Sequence, residues 1–228
     1  MNYKSVKYII IVFISILTAC NSDFFKGKLD EGTILYEIKY LDDAKSNPLI
    51  SLLPTEMTIK FKEDSYIQKI EGWMGIFSMA GIYNKKAGTN SALLKIMSDK
   101  YHYETTLDGV SFGYDSLPEM KIEYSDEIKE IAGYKCKKAI VNFTDNAIPD
   151  IELFYTNEIM IGKPNNHNPF GEIDGVLLKY QMGFQKFKME VTAVKVEQID
   201  IADEEFDIPS DYEKVSIDRM QEVLDNLM

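Results

Sequence analysis

The chain has 228 residues, of which 45% are hydrophobic, 12% aromatic and 27% charged, and 37 acidic against 25 basic residues give a formal net charge of −12. A chain of this length buries a substantial core without help from disulfides, and the composition is that of a globular protein. Its acidic surface repels nucleic-acid phosphates and anionic lipid headgroups, so we predict no nucleic-acid partner and no membrane binding by charge.

The N-terminus has the pattern of a bacterial lipoprotein signal peptide over residues 1–19. Lys4 and Lys7 precede an uncharged apolar run that ends at Ala19, which is shorter than the roughly 20 residues of a spanning helix. The run leads into Leu-Thr-Ala-Cys, which matches a lipobox and makes Cys20 the lipidated N-terminus. The alternative is an ordinary secretory peptide with a chance cysteine.

A lipid on Cys20 predicts attachment to the cell envelope. Several acyl chains on one residue anchor a protein stably, since each buried methylene contributes about 0.8 kcal/mol. We therefore predict an outer-membrane lipoprotein, with the periplasmic or surface face left open. Residues 20–30 are the predicted lipidated N-terminus and tether, and residues 31–228 a single β-rich domain. The other cysteine, Cys136, is then a lone thiol.

Alternation with a period of two predicts strands through most of this domain. Apolar residues at positions 34, 36, 38 and 40 alternate with polar ones, and "TEMTIKFKED" at 55–64 repeats the pattern. Further strand-like runs are Tyr66–Ile70, Leu93–Met97, Tyr101–Leu107, Met120–Tyr124, Tyr134–Phe143, Ile151–Thr156, Val176–Met182 and Phe187–Val196. Their spacing predicts one largely antiparallel sheet, in which Asp108-Gly109 is a hairpin signal.

Helices are predicted to be few and short. At the C-terminus Ser216 is placed to cap a helix whose apolar residues, Met220 and Leu224 among them, share one face. A second short helix is predicted over Ala44–Leu53, although Pro48 and Pro54 weaken it. The fold class is therefore mainly β, with a C-terminal helix.

The segment "SDEIKEIAGYKCKKAIV", Ser125–Val141, resembles one found in exported lipoproteins with a LolA-like fold, including relatives of the GLPGLI family. The following "LFYT", the Pro-Asn loop from Lys163 and the closing "FDIPSDY" from Phe206 are similar in order and spacing. The name-giving motif departs, since only Gly175 and the apolar positions agree. The resemblance implies a curved antiparallel sheet forming an open half barrel whose concave side holds acyl chains, as in the carriers LolA and LolB.

Two segments are predicted to form a binding site. The stretch Gly72–Asn84 contains no charged residue and is rich in Met and aromatic side chains, which adapt to lipid tails. Its predicted apolar wall consists of Trp73, Met74, Ile76, Phe77, Met79 and Ile82; the alternative is a buried strand pair. The long loop Gly162–Gly175 is the predicted mouth, with Asn165, His167 and Phe170 as its candidate contacts.

Signals of catalysis are weak. "GVSFG" at 109–113 matches a nucleophile elbow with Ser111, and His167 follows downstream, but the elbow needs a preceding strand and a following helix. Here a turn dipeptide precedes Ser111 and Pro118 follows it. His102 and His167 lack ligand spacing, so we predict no catalytic residues, no metal and no cofactor beyond the lipid on Cys20.

Cys136 stands among Lys135, Lys137 and Lys138. Alternation directs Lys135 and Lys137 to the opposite face and groups the thiol with Tyr134 and Ile140, so we predict a packed thiol and not an activated one. The sequence thus predicts a non-catalytic, lipid-anchored envelope protein that binds a hydrophobic ligand or acyl chain. The alternatives are an envelope interaction or scaffold module without its own ligand and, remotely, a serine hydrolase that uses Ser111.

Overall fold

A computed structural model describes residues 28–42, 50, 52–72, 75–109, 111–112, 119–145, 148–184 and 187–226. Within these ranges the fold is mainly β. The strands are β1 (Glu31–Tyr40), β2 (Glu56–Lys62), β3 (Ser65–Gly72), β4 (Phe77–Asn84), β5 (Thr89–Ile96), β6 (Asp99–Thr106), β7 (Met120–Ile131), β8 (Tyr134–Phe143), β9 (Ile151–Thr156), β10 (Val176–Phe184), β11 (Phe187–Glu197) and β12 (Glu213–Lys214). A 3₁₀ helix spans Asp203–Phe206, and helix α1 spans Ile217–Asp225.

All twelve strands belong to one open sheet with the order β12-β6-β5-β4-β3-β2-β1-β11-β10-β9-β8-β7. Strands β1 to β6 form one antiparallel meander and β7 to β11 form a second, and the two meet where β1 pairs with β11. Only the short β12 is parallel to its neighbour, β6. The prediction of a mainly β, largely antiparallel open sheet with a C-terminal helix is confirmed.

The two faces of the sheet are covered by different parts of the chain. We call the face that carries Ile34, Tyr36, Ile59 and Tyr66 the front face, and the opposite one the back face. These four residues are 6% exposed or less and belong to the largest apolar cluster. The predicted alternation in β1 and β2 is thus confirmed, because every second side chain of these strands faces this cluster.

Helix α1 covers the β4–β6 end of the front face. Met220 and Leu224 are fully buried and pack with Leu94 and Phe77 in a second apolar cluster. The Arg219 N–H donates to Ser216 Oγ at 3.2 Å, which is the predicted N-cap. The other predicted helix, Ala44–Leu53, falls mostly on residues outside the described ranges.

After β11 the chain turns to the back face. Ile201 and Phe206 pack there against Ala80, Ile82 and Leu93, which form a third apolar cluster with them. Strands β4 and β5 are therefore covered on both faces. Their near-continuous apolar character in the sequence, as in "SALL" of β5, has this cause.

The turn at Asp108-Gly109 is present, since the Gly109 N–H donates to the Thr106 carbonyl at 2.9 Å. It does not join two paired strands, because β6 lies between β5 and β12 while β7 lies at the far edge of the sheet. The hairpin prediction was wrong here. The residue types of a turn predict the local bend but not the position of the following strand in the sheet.

Cys136 is a packed thiol, as predicted. Its side chain has no exposed area, Lys135 and Lys137 are exposed, and burial raises the pKa of the thiol to about 12. The alternation then changes phase, because Ala139 and Val141 are the next fully buried residues of β8. Ile140 therefore does not lie on the side of Cys136, although the sequence pattern had placed the two residues together.

Lys138 marks this change of phase. Its ammonium lies 2.6 Å from Glu152 and 3.1 Å from Glu127, with only 13% of the side chain exposed. The facing strand β7 shifts register between Tyr124 and Ile128, opposite the same point. The irregularity frees Lys138 to pair with carboxylates instead of entering the core beside the thiol.

The state of Cys136 makes alkylation the direct test of this packing. In a Cys20→Ala protein, where Cys136 is the sole thiol, we expect iodoacetamide at pH 7.5 to react roughly 100-fold more slowly with the folded than with the urea-unfolded chain. A Lys135→Met/Lys137→Met variant should leave the folded rate unchanged, since both ammoniums lie on the opposite face. Equal rates before and after unfolding would contradict a packed thiol.

Candidate functional site

The loop between β9 and β10 lies against the front face of the sheet. Ile161, Phe170 and Ile173 belong to the main apolar cluster together with residues of β1 to β3. We call residues 161–175 the plug loop. Asn165, His167 and Phe170 are 2%, 6% and 2% exposed, so the predicted mouth is folded inward and these residues do not line an opening. Their role as ligand contacts stays a prediction.

His167 is the most constrained polar residue of the plug loop. Its Nδ1 lies 3.0 Å from the Tyr66 hydroxyl and its Nε2 lies 2.6 Å from Asn90 Oδ1. The imidazole ring rests on Gly81, where an added Cβ would lie 2.7 Å from ring carbons. Burial lowers the pKa of the imidazole to about 4, so the ring is neutral at neutral pH.

The contacts of His167 continue into a directed chain of hydrogen bonds. Nε2–H donates to Asn90 Oδ1, Asn90 Nδ2 donates to Ser111 Oγ at 3.0 Å, and the Ser111 hydroxyl donates to the Asn166 carbonyl at 2.8 Å. Nδ1 is then left to accept from the Tyr66 hydroxyl at 3.0 Å, which is nearer than the Lys163 carbonyl, 3.3 Å from the same hydroxyl. We call Tyr66, Asn90, Ser111, Asn166 and His167 the latch, because they join the plug loop to β3, β5 and the segment after β6.

The asparagines of the plug loop hold its irregular backbone in place. Asn165 Nδ2 donates to the carbonyls of Ile173 and Gly175 at 2.8 and 2.9 Å. Asn168 donates to Asn165 Oδ1 at 3.0 Å and accepts from the Phe170 N–H at 2.9 Å. These bonds satisfy buried backbone groups that have no sheet partner.

Two small voids lie between the plug loop and the sheet in the part of the chain that the structure describes. A void of about 10 Å³ lies between Tyr36, Ile59 and the loop, close to the volume that a single water needs. A second void of about 40 Å³ lies beside Gln68, Met79 and His167. Neither one has the volume of an acyl chain.

The predicted apolar wall does not form one surface. Trp73 and Met74 lie outside the described residues. Of the rest, Phe77 and Met79 face the front, Ile82 is buried on the back face, and Ile76 is 44% exposed. Strand alternation in β4 separates these side chains, and their role as ligand contacts stays a prediction beside the alternative of a buried strand pair.

Ser111 and His167 are brought near each other but not into a nucleophile–base pair. The Asn90 amide lies between them, and both imidazole nitrogens are engaged by Tyr66 and Asn90. An activated serine needs the base within hydrogen-bond reach. Within the described ranges no group of three or more His, Cys, Asp or Glu residues is placed to hold a metal.

Sequence reasoning missed Tyr66, Gly81 and Asn90 as partners of the plug loop. A weak signal was present, because Asn90 and Gly81 interrupt otherwise apolar strands. Asn90 is 2% exposed, and a buried amide in a strand requires a partner. A glycine inside a strand often marks the close approach of another group.

Among the described residues, none of the helices is both long and apolar enough to span a bilayer. The fold and the site define a mainly β domain of one open sheet, whose apolar front face is covered by its own plug loop. A family model described as "N-glycanase peptide, N-terminal domain" matches residues 94–221, which is more than half of the chain. The chain belongs to this family.

A solved structure supports the same relationship at the level of fold. The structure of PNGF-II in space group P21 is similar to this chain with a TM-score of 0.50 at 13% identity, over 85% of this chain and 32% of that one. This chain thus spans about a third of the PNGF-II chain. A comparison with curated proteins gave no match.

The fit between His167 and Gly81 can be tested by adding one methyl group. We expect Gly81→Ala to lower the free energy of unfolding by about 1–3 kcal/mol, because the new Cβ meets a ring that is held at both nitrogens. Urea denaturation measures the loss, and limited proteolysis within residues 161–175 reports release of the loop. Gly183→Ala is the matched control, since nothing lies within 4 Å of a Cβ there. Equal stability of the two variants would contradict the contact.

The neutral state of His167 predicts a pH dependence of stability. The pKa of a histidine side chain is ordinarily 6.5, and that of His167 in the folded chain is about 4. The stabilisation from the neutral ring is therefore fully present above pH 6.5 and is lost as the pH falls towards 4. Between pH 7.5 and 5 we expect a loss of about 2 kcal/mol that is missing in His167→Gln. Urea titrations of both proteins across this range measure it. Parallel pH profiles would show that His167 is not held neutral by the fold.

Proposed function

We propose that this chain is a non-catalytic interaction module, anchored in the cell envelope by lipid on Cys20, that binds a glycosylated protein partner. The observation that carries the proposal is the plug loop. Phe170, Ile173 and the latch cover the front face, and the two voids found there among the described residues, of about 10 and 40 Å³, are too small for an acyl chain. A surface that is already ordered loses little conformational freedom when it binds a partner.

The family indicates which chemical class of partner to expect. The family model is named for the N-terminal domain of an N-glycanase, and this chain spans 32% of the PNGF-II chain. We infer that a domain of this kind supports recognition of a glycoprotein and leaves bond cleavage to other parts or other chains. The contacts of Ser111 agree, because its hydroxyl serves Asn90 and Asn166.

The anchor and the domain would lie close together. The described chain begins at Lys28, and Leu29 forms a parallel bridge with Ile159 beside the start of the plug loop. The eight residues from Cys20 to Lys28 reach about 28 Å when extended. We propose an outer-membrane lipoprotein held within this distance of the bilayer, with the open sheet in a LolA-like half barrel.

A second candidate function is acyl-chain binding after displacement of the plug loop. The observation in its favour is the apolar front face beneath the loop, where Tyr36, Ile59 and Leu177 are 6% exposed or less. The loop is joined to β3 and β5 by the polar latch, which water can replace. Binding would then derive from apolar area removed from water, at about 25 cal/mol per Å².

Membrane crosslinking and lipid uptake separate the two candidates. We expect the full-length protein in native membranes to crosslink to a glycoprotein, and Cys20→Ala to lose this product because it leaves the membrane. Purified wild-type protein should not bind cis-parinaric acid, and an active-serine probe should not label it. Stoichiometric uptake of cis-parinaric acid by the wild type, increased in Gly81→Ala, would contradict the interaction module and support the carrier. Labelling that Ser111→Ala abolishes would contradict both.

A further inference from the structure

Hydrogen bonds within the plug loop hold its two halves to each other. Asn165 donates to the carbonyls of Ile173 and Gly175, and Asn168 donates to Asn165. The Ile173 N–H also donates to the Phe170 carbonyl at 3.0 Å. All of these bonds begin and end within residues 161–175, so they are kept when the loop moves as one body.

The two ends of the plug loop have backbone that can act as hinges. Gly162 precedes Lys163, which has a φ of +45°, and Gly175 at the other end has a φ of +153°. Glycine adopts a wider range of φ and ψ than any other residue, and the hinges of moving loops are a few residues that absorb such changes. The loop can therefore rotate about both ends without a break in the adjoining strands.

Two neighbouring residues in the middle of the plug loop carry its bonds within the latch. His167 places one ring nitrogen on Tyr66 and the other on Asn90. Asn166 accepts from the Ser111 hydroxyl at 2.8 Å through its carbonyl, and its amide donates back at 3.3 Å. A change in the hydrogen bonding of His167 alone therefore alters half of this attachment.

A proton on His167 reverses the hydrogen bond at Nδ1. This nitrogen accepts from the Tyr66 hydroxyl in the neutral ring and becomes a donor in the imidazolium. The hydroxyl can then turn its hydrogen to the Lys163 carbonyl, 3.3 Å away. The bonds can thus be rearranged, but a positive charge is now enclosed in a residue that is 6% exposed. Because the same charge is hydrated when the loop is open, protonation favours opening.

The groups around the ring show why burial controls this proton. Tyr66 of β3 is the titratable residue in direct contact, with ring centroids 5.4 Å apart. The residues that β4, β5 and the segment after β6 bring to the latch are uncharged: Gly81, Asn90 and Ser111. The first charged residue of the loop, Lys163, pairs with Asp108. Burial accordingly lowers the pKa of the imidazole to about 4.

We propose that the plug loop is a hinged lid over the apolar front face, and that protonation of His167 releases it. The lid opens about Gly162 and Gly175 as one body while the sheet stays folded. Opening uncovers Tyr36 and Ile59, which line the void beneath the loop. This control of access to the front face is additional to the interaction role proposed above.

The size of the effect follows from the linkage between protonation and opening. The pKa of His167 is about 4 under the closed lid, and that of a hydrated histidine is 6.5. The opening equilibrium constant should therefore rise roughly 25-fold between pH 7.5 and pH 5. The apolar contacts of Phe170 and Ile173 oppose opening, so we expect the open form to stay a minor population that is detected by trapping.

Thiol labelling beneath the loop measures the opening. Ile59→Cys in the full-length Cys20→Ala protein places a thiol at a position that is 6% exposed and lies under the lid. The reagent is 4,4′-dithiodipyridine, and peptide masses separate labelling at position 59 from labelling at Cys136. The folded rate is divided by the rate in the urea-unfolded chain at the same pH, which removes the titration of the thiol itself. We expect this ratio to rise roughly 25-fold from pH 7.5 to pH 5.

Two variants assign the rise to the lid. His167→Gln has a neutral side chain at every pH and should abolish the rise. Gly81→Ala pushes against the ring and should increase the ratio at pH 7.5 while reducing its further rise in acid. Circular dichroism confirms that each variant is folded, and Gly81→Ala covers the case in which His167→Gln does not fold.

Urea separates opening of the lid from unfolding of the domain. Addition of 1 M urea should change labelling at position 59 less than about threefold, because a local opening exposes little surface, whereas labelling through global unfolding should rise roughly tenfold or more. The steep dependence would overturn the lid. Equal ratios at pH 7.5 and pH 5 would also overturn it, and a full rise in folded His167→Gln would remove His167 as the group that releases it.

Discussion

The front face of the sheet carries an extended apolar surface, and the rest of the structure depends on how that surface is kept from water. An open sheet cannot close on itself, so its apolar face must be covered by another layer. Here the layer has two parts. Met220 belongs to the helix α1, whereas Phe170 and Ile173 belong to the irregular plug loop. Irregular backbone in such a place must satisfy its polar groups internally, and the buried asparagines Asn165 and Asn168 do this.

Covering the front face in this way determines how the latch behaves. A buried polar network stabilises only when each member has a partner, and a single missing bond leaves an uncompensated group in a low-dielectric interior. His167 meets this condition as a neutral ring, with Tyr66 donating to one nitrogen and Asn90 accepting from the other. The same geometry that secures the loop therefore removes the imidazole from acid–base chemistry, which is why proximity to Ser111 does not amount to a catalytic pair.

Much of the fold could be predicted from local patterns, and what could not depends on distant contacts. The bounds of β8 and β9 and the cap at Ser216 follow from alternation and side-chain chemistry that act within a few residues. The crossing from β6 to the far edge depends on the pairing of β1 with β11, and the inward fold of the plug loop depends on the contacts of His167 with Asn90 and Tyr66, 77 and 101 positions away. The phase change after Cys136 is hidden for the same reason, because it depends on Lys138 meeting Glu127 and Glu152.

The two faces of the sheet are covered by different means. On the front face, a ligand beneath the plug loop must first displace a loop held by the latch and by apolar contacts, so the cost of opening is subtracted from its affinity. On the back face, residues 198–212 supply the cover, and Ile201 and Phe206 pack against Ala80, Ile82 and Leu93. Ala80 and Ile82 are excluded from the front by strand alternation alone, and the same alternation presents them to Ile201 and Phe206. Strands β4 and β5 are therefore held on both sides, by the contacts of the latch on the front face and by apolar contacts on the back face.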